Sequence, residues 1–148
     1  MKPNTFLALV LASSLPTLAL AEITVSNAWI PEAPPTAQAM GAFMTLHNTD
    51  SVAVNVIQAS AANFDRIELH ESIEVNGMHK MIAQAFLTIP AQGSLELKPG
   101  GFHVMLIGVQ KPSRAGDVIP IELTLDNHQK ILVNATVYKR KDMMKPHH

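Results

Sequence analysis

The 148-residue chain contains no cysteine. Disulfides, thiolate metal sites and cysteine nucleophiles are excluded together, and with them any blue-copper centre, which requires a cysteine ligand. Charge of one sign is also missing: the formal net charge is −1. A nearly neutral chain gives no electrostatic case for binding nucleic acid or an anionic membrane. No apolar run reaches the roughly 20 residues a spanning helix needs. No long amphipathic helix, internal repeat or second domain is visible. No Ser-His-Asp set or pair of carboxylates stands out, so the chain is not expected to be an enzyme.

The first residues read as a targeting segment. Lys2 is a short positive region, and Phe6 to Leu20 is mostly apolar, broken by Ser13, Ser14, Pro16 and Thr17. Ala19-Leu20-Ala21 has the small-x-small pattern of a cleavage site, which makes residues 1–21 an expected signal peptide cut after Ala21, with Glu22 as the mature start. The segment is too short and broken for a comfortable membrane anchor. The absence of cysteine before the cleavage point argues against a lipid-attached form. The expected product is exported and soluble, with 127 residues, enough for one domain with a core.

Short apolar runs separated by turn residues predict an all-β domain over residues 22–138. The expected strands are Ile23–Ile30, Ala42–His47, Val52–Ala59, Arg66–His70, Met78–Ala85, Ser94–Leu97, Phe102–Ile107, Ile119–Leu125 and Ile131–Tyr138. Asn48-Thr49-Asp50, Asn76-Gly77, Lys98-Pro99-Gly100-Gly101 and Ala115-Gly116-Asp117 supply turn chemistry. Pro31–Pro35 reads as a loop. Many short antiparallel strands imply a sandwich or Greek-key barrel. Residues 139–148 read as a flexible charged tail ending in Met143, Met144, His147 and His148.

What the chain does have is methionine and histidine, eight and seven residues respectively. His103-Val104-Met105 follows the Gly100-Gly101 turn in an expected strand. Alternate strand residues share a face, so an imidazole and a thioether stand side by side. Upstream lie His70 and Met81, in the order His70, ten residues, Met81, twenty-one residues, His103, one residue, Met105. Two imidazoles and two thioethers suit a soft, low-charge metal, above all Cu(I). Phe102, Val104 and Leu106 on the opposite face already supply a core.

This spacing resembles the signature of the periplasmic copper chaperone family PCuAC. Its surroundings match too: Arg66-Ile67-Glu68-Leu69-His70, Ile89-Pro90-Ala91, Leu97-Lys98-Pro99-Gly100-Gly101-Phe102-His103-Val104-Met105-Leu106, Gly116-Asp117 and Ile119-Pro120-Ile121. Asn27-Ala28-Trp29 and Thr45-Leu46-His47-Asn48 match more weakly. The resemblance covers nearly the whole mature domain. It implies a cupredoxin-like fold, a periplasmic location and a monomer that hands Cu(I) to a respiratory oxidase. His70, Met81, His103 and Met105 are the implied ligands. The implied partners are the apo copper domain of cytochrome c oxidase and a thiol reductase of the Sco type.

Other residues divide by position. Met44 reads as core filler, and His47 and His128, each beside an Asn, as ordinary polar residues. His79 shares a strand face with Met81 and is a secondary candidate, with Met78 opposite. Met143, Met144, His147 and His148 could form a second copper site, with Cu(II) on the imidazoles. Two further readings stand beside the oxidase chaperone: a copper-buffering or uptake protein without a dedicated acceptor, and a β-sandwich interaction module whose His and Met are incidental.

Overall fold

The computed structural model describes residues 3–5, 8–15 and 22–140. The expected cleavage site, and Met143, Met144, His147 and His148, lie outside the described residues. Ten strands make up the domain: β1 (Ile23–Pro31), β2 (Ala39–Asn48), β3 (Val54–Ser60), β4 (Phe64–Val75), β5 (Met78–Ala83), β6 (Leu87–Ile89), β7 (Gly93–Leu97), β8 (Phe102–Val109), β9 (Val118–Leu125) and β10 (Lys130–Tyr138). They form one open hydrogen-bonded path, β5-β4-β8-β2-β1-β10-β9-β3-β6, with β7 also on β2. All pairings are antiparallel except β1 with β10. Among the described residues no helix is long and apolar enough to cross a membrane.

Alternation in the sequence sets the inner face. Val104 and Leu106 of β8, Ala42, Met44 and Leu46 of β2, Ile121, Leu123 and Leu125 of β9, and Val133, Ala135 and Val137 of β10 are buried in one cluster. Leu69 of β4 and Ile89 of β6, from near opposite ends of the path, join the same cluster, so the sheet closes over a shared core. Met40 and Met44 are both in it, 5% and 1% exposed.

The expected strands are recovered, with differences at their ends and one omission. β6 escaped the sequence reading because Leu87-Thr88-Ile89 offers only one period of alternation, although Leu87 and Ile89 are buried. β4 runs to Val75, well beyond His70, because its far half pairs only with β5. Pro31 ends β1 instead of opening the loop. It sits opposite Tyr138, and the hydrogen bond to the Tyr138 carbonyl comes from the next residue, Glu32. Proline is tolerated where no N–H is asked of it.

Two turns position the site. Asn76 and Gly77, with φ of 52° and 75°, join β4 to β5. Positive φ at both central residues is the two-residue hairpin geometry that Asn-Gly favours. It sets Val75 opposite Met78, and thereby Ser72 opposite Met81 and His70 opposite Ala83. The second turn is Lys98-Pro99-Gly100-Gly101, closed by the Gly101 N–H donating to the Lys98 carbonyl at 3.0 Å, with Gly100 at φ 81°. Proline followed by a left-handed glycine is type II turn chemistry. β7 and β8 pair successively along β2, Leu97 with Met44 and Val104 with Ala42, so this turn is an excursion between two halves of one edge. His103 lies just past it.

Candidate metal centre

On β4, Arg66, Glu68, His70 and Ser72 alternate onto the face away from the core residue Leu69. On β8, His103 and Met105 do the same against Val104 and Leu106. The register places His70 directly across from His103 and Glu68 directly across from Met105. On the other side of β8, Met105 pairs with Gly41 of β2, which presents no side chain there. Met81, opposite Ser72, shares the His70 face one step along the sheet. All four residues singled out in the sequence therefore converge on one face of β5-β4-β8.

They are not equally placed. His103 is only 3% exposed, although it points away from the main core. Its cover comes from Phe43, with ring centroids 6.1 Å apart, and from His70 at 5.6 Å, edge-on at 73°. Trp29 stacks behind Phe43 at 4.8 Å, extending an aromatic wall beside the imidazoles. Met105 is partly buried. Met81 lies on the wholly exposed strand β5 and is itself 59% exposed. The site thus has a sheltered imidazole side, with His103 buried and His70 half-buried, and an open thioether side.

The hydrogen bonds fix the protons. The Glu68 carboxyl lies below its usual range, mainly through the hydrogen bond from His70 and then that from Arg66. An ionised carboxylate only accepts, so His70 Nε2–H donates to Glu68 Oε2, at 2.6 Å. A carbonyl also only accepts, so His103 Nδ1–H donates to the Gly101 oxygen, at 3.2 Å. That oxygen also accepts the Ser72 N–H at 2.9 Å, tying the turn to β4. Burial pushes the His103 imidazole below its ordinary value, the Gly101 hydrogen bond opposes this, and charge on His70 adds to the lowering.

Each ring keeps a second nitrogen. His70 Nδ1 and His103 Nε2 are buried and have no hydrogen-bond partner. An unmet buried polar atom costs about 1–3 kcal/mol. Two of them on neighbouring rings, each with its proton on the other nitrogen, leave two lone pairs free within one cross-strand pair. That is the donor pattern of metal-binding histidines, whose remote N–H is held by a carboxylate or carbonyl. Among the described residues no three His, Asp or Glu side chains gather into a metal-sized group.

The remaining candidates separate clearly. His79 is exposed and stands opposite Glu74, four residues along β4 from His70, or about 13 Å at strand spacing. The fold does not bring it to the two imidazoles. Met78 is exposed on the opposite face of β5. His47 is satisfied on both ring nitrogens, by Ser26 at 2.9 Å and Ser94 at 2.8 Å. His128 occupies a turn with φ 71°. The sequence reading missed Arg66, Glu68, Phe43 and the Gly101 carbonyl as parts of this centre. The alternation Arg66-x-Glu68-x-His70 was the available clue.

The family model described as lipoprotein LpqE-like matches residues 23–137. The chain belongs to this family, the PCuAC family. The match takes in all ten strands but for the last residue of β10, Tyr138, and all four convergent residues. Among curated relatives, Lxx21020 of Leifsonia xyli subsp. xyli is 36% identical over 102 residues, 68% of this chain and 60% of its own length. RP573 of Rickettsia prowazekii is 28% identical over 96 residues, 64% of this chain and 53% of its own length. The chain thus spans less than two thirds of the curated relatives it matches.

Solved PCuAC structures share the fold. The copper-bound PCuAC domain from PmoF2 superposes with a TM-score of 0.68 at 16% identity, over 82% of this chain and 96% of that one. The solution structure of the Cu(I) form of DR1885 from Deinococcus radiodurans gives 0.63 at 29% identity, over 87% of this chain and 83% of that one. The all-β, cupredoxin-like architecture expected from the sequence is the architecture observed.

Proposed function

We propose that this protein binds one Cu(I) ion through His70 Nδ1, His103 Nε2 and the thioethers of Met105 and Met81, and delivers it to another protein. The observation that carries the reading is the pair of buried, unpartnered ring nitrogens on facing strands, with Met105 one step along the same face. Cu(I) as cargo fits the donors: it is soft, needs no carboxylate, and accepts imidazole and thioether together. Neutral ligands leave the ion's single positive charge in place. Without thiolates, the site holds copper firmly enough to carry and loosely enough to pass to a cysteine-rich acceptor. The copper-bound and Cu(I) forms known for PmoF2 and DR1885 support the same cargo.

The open thioether side supplies a release route. Met81 on the exposed edge strand can leave first and admit an acceptor's ligand while the more sheltered imidazoles still hold the ion. The acceptor we favour is the apo copper domain of a cytochrome c oxidase, aided by a Sco-type thiol reductase, with the protein acting as a monomeric chaperone in the periplasm. An export segment over residues 1–21 fits that location, and Leu9, Val10, Leu11 and Leu15 are exposed rather than packed on the core. Cu(II) capture by the residue 139–148 tail would add to delivery.

Competition titration with a Cu(I) chelator tests the site. The parent should take one equivalent, and His103→Ala and Met105→Ala should each bind more weakly. Unchanged affinity in both removes the assignment. Mixing the Cu(I) protein with an apo oxidase copper domain then separates delivery from buffering, since a buffer retains its metal.

A further inference from the structure

We propose that Glu68 is the positioning residue of the copper centre: its carboxylate holds the His70 proton on Nε2 and fixes the ring so that Nδ1 faces the metal. This rests on the reading of His70 as a ligand. The geometry is local and complete. Glu68 and His70 are alternate residues on β4, and the register sets Glu68 beside Met105 and His70 beside His103. Glu68 Oε2 accepts His70 Nε2–H at 2.6 Å, a short, charge-assisted contact. Its other oxygen, Oε1, accepts from Arg66 Nε at 3.0 Å.

Both oxygens are therefore engaged, one by a guanidinium and one by the imidazole. The carboxylate cannot swing toward the metal as a ligand without losing one of them. The His70 ring cannot turn over without burying its N–H away from an acceptor. Arg66, Glu68 and His70 thus form a relay along a single strand face, ending at an unpartnered nitrogen lone pair. An acceptor held on the remote nitrogen raises the basicity of the ligating one, and such outer partners typically contribute 10–100-fold to metal affinity. Here the carboxylate also offsets the positive charge that neutral ligands leave on Cu(I). Glu71, one residue on, points to the other face and pairs with Phe102. It carries the same charge in the wrong place and serves as a control.

The test uses full-length protein and Cu(I) against a competing chelator. Glu68→Ala should bind at least tenfold more weakly than the parent. Glu68→Gln, which keeps an acceptor oxygen but loses the charge, should fall between them. Glu71→Gln should match the parent. A second readout needs no copper: proton NMR of the metal-free protein should show a downfield, slowly exchanging His70 Nε2–H that is absent in Glu68→Ala. Glu68 is partly solvent-exposed, so its pairing adds little to the fold and these variants should melt only slightly below the parent. If His70→Ala loses copper while Glu68→Ala binds as tightly as the parent, the positioning role is overturned and the ligand assignment stands. If His70→Ala itself binds like the parent, both fall.

Discussion

His70 and His103 face each other across the β4–β8 ladder with ring centroids 5.6 Å apart, and each keeps one buried nitrogen without a partner. The metal-free protein therefore carries a local cost that copper would remove. In a molecule whose ionisable groups lie mostly on the surface, such a pair fits the proposed copper site better than a purely structural role.

Replacing His103 by leucine should separate the two. The change removes an unmet buried nitrogen, worth about 1–3 kcal/mol, and gives up one hydrogen bond worth about 0.5–1.5 kcal/mol. The metal-free melting temperature should not fall, while Cu(I) binding is lost. Thermal melts and copper titration of His103→Leu check this. A large loss of stability would mean the imidazole is structural.

Methionines should divide by face. Met40 and Met44 lie in the core, and leucine there conserves volume at a cost below about 1.5 kcal/mol. Met40→Leu and Met44→Leu should keep parental copper affinity. Met105→Leu and Met81→Leu should keep parental stability and lose affinity, the former more, because Met105 lies beside the two imidazoles. Equal affinity across all four would contradict a thioether site.

The hairpin turn should matter for copper more than for folding. Gly77 sits at φ 75°, where a β-branched residue is strained by about 1–2 kcal/mol. Gly77→Val should loosen β5, which is exposed throughout, without touching the core. Cu(I) affinity should drop toward that of Met81→Ala, with little change in global melting. Parental affinity would show that the register of Met81 is unimportant.

Acid should weaken the metal-free protein in two steps of the same sign. Burial holds His103 below the ordinary imidazole value of about 6.5. As pH falls through that value the unfolded chain takes the proton first, so stability drops until the folded imidazole protonates as well. Glu68 is held below the ordinary carboxyl range by His70 and Arg66, so its contribution is full above about pH 4.3 and lost below. Melts from pH 8 to 4 should show the first slope in the parent and not in His103→Leu. Copper loading should fade over the same range, because a protonated imidazole cannot ligate. A copper affinity flat to pH 4 would exclude His103.

Much of this was legible in the sequence, for reasons that can be named. His103-x-Met105 reads directly as one face of a strand, because the period of a strand is two. Asn76-Gly77 announces the hairpin that brings Met81 back beside β4. What could not be read was depth. His103 is buried on the face away from the main core because Phe43 and His70 arrive from strands distant in sequence, and single-strand alternation contains no such information. Glu68 stands in the motif's surroundings, but spacing along the chain does not say which ring nitrogen it meets. The three-residue β6 is too short to show a period at all.

The most direct test is nitrogen-15 NMR of the histidine rings before and after one equivalent of Cu(I). The account predicts that His70 Nδ1 and His103 Nε2 shift on copper addition, while His70 Nε2 and His103 Nδ1 remain protonated. His47 and His128 should not move. Shifts at His47 or His79, with His70 and His103 unchanged, would contradict it.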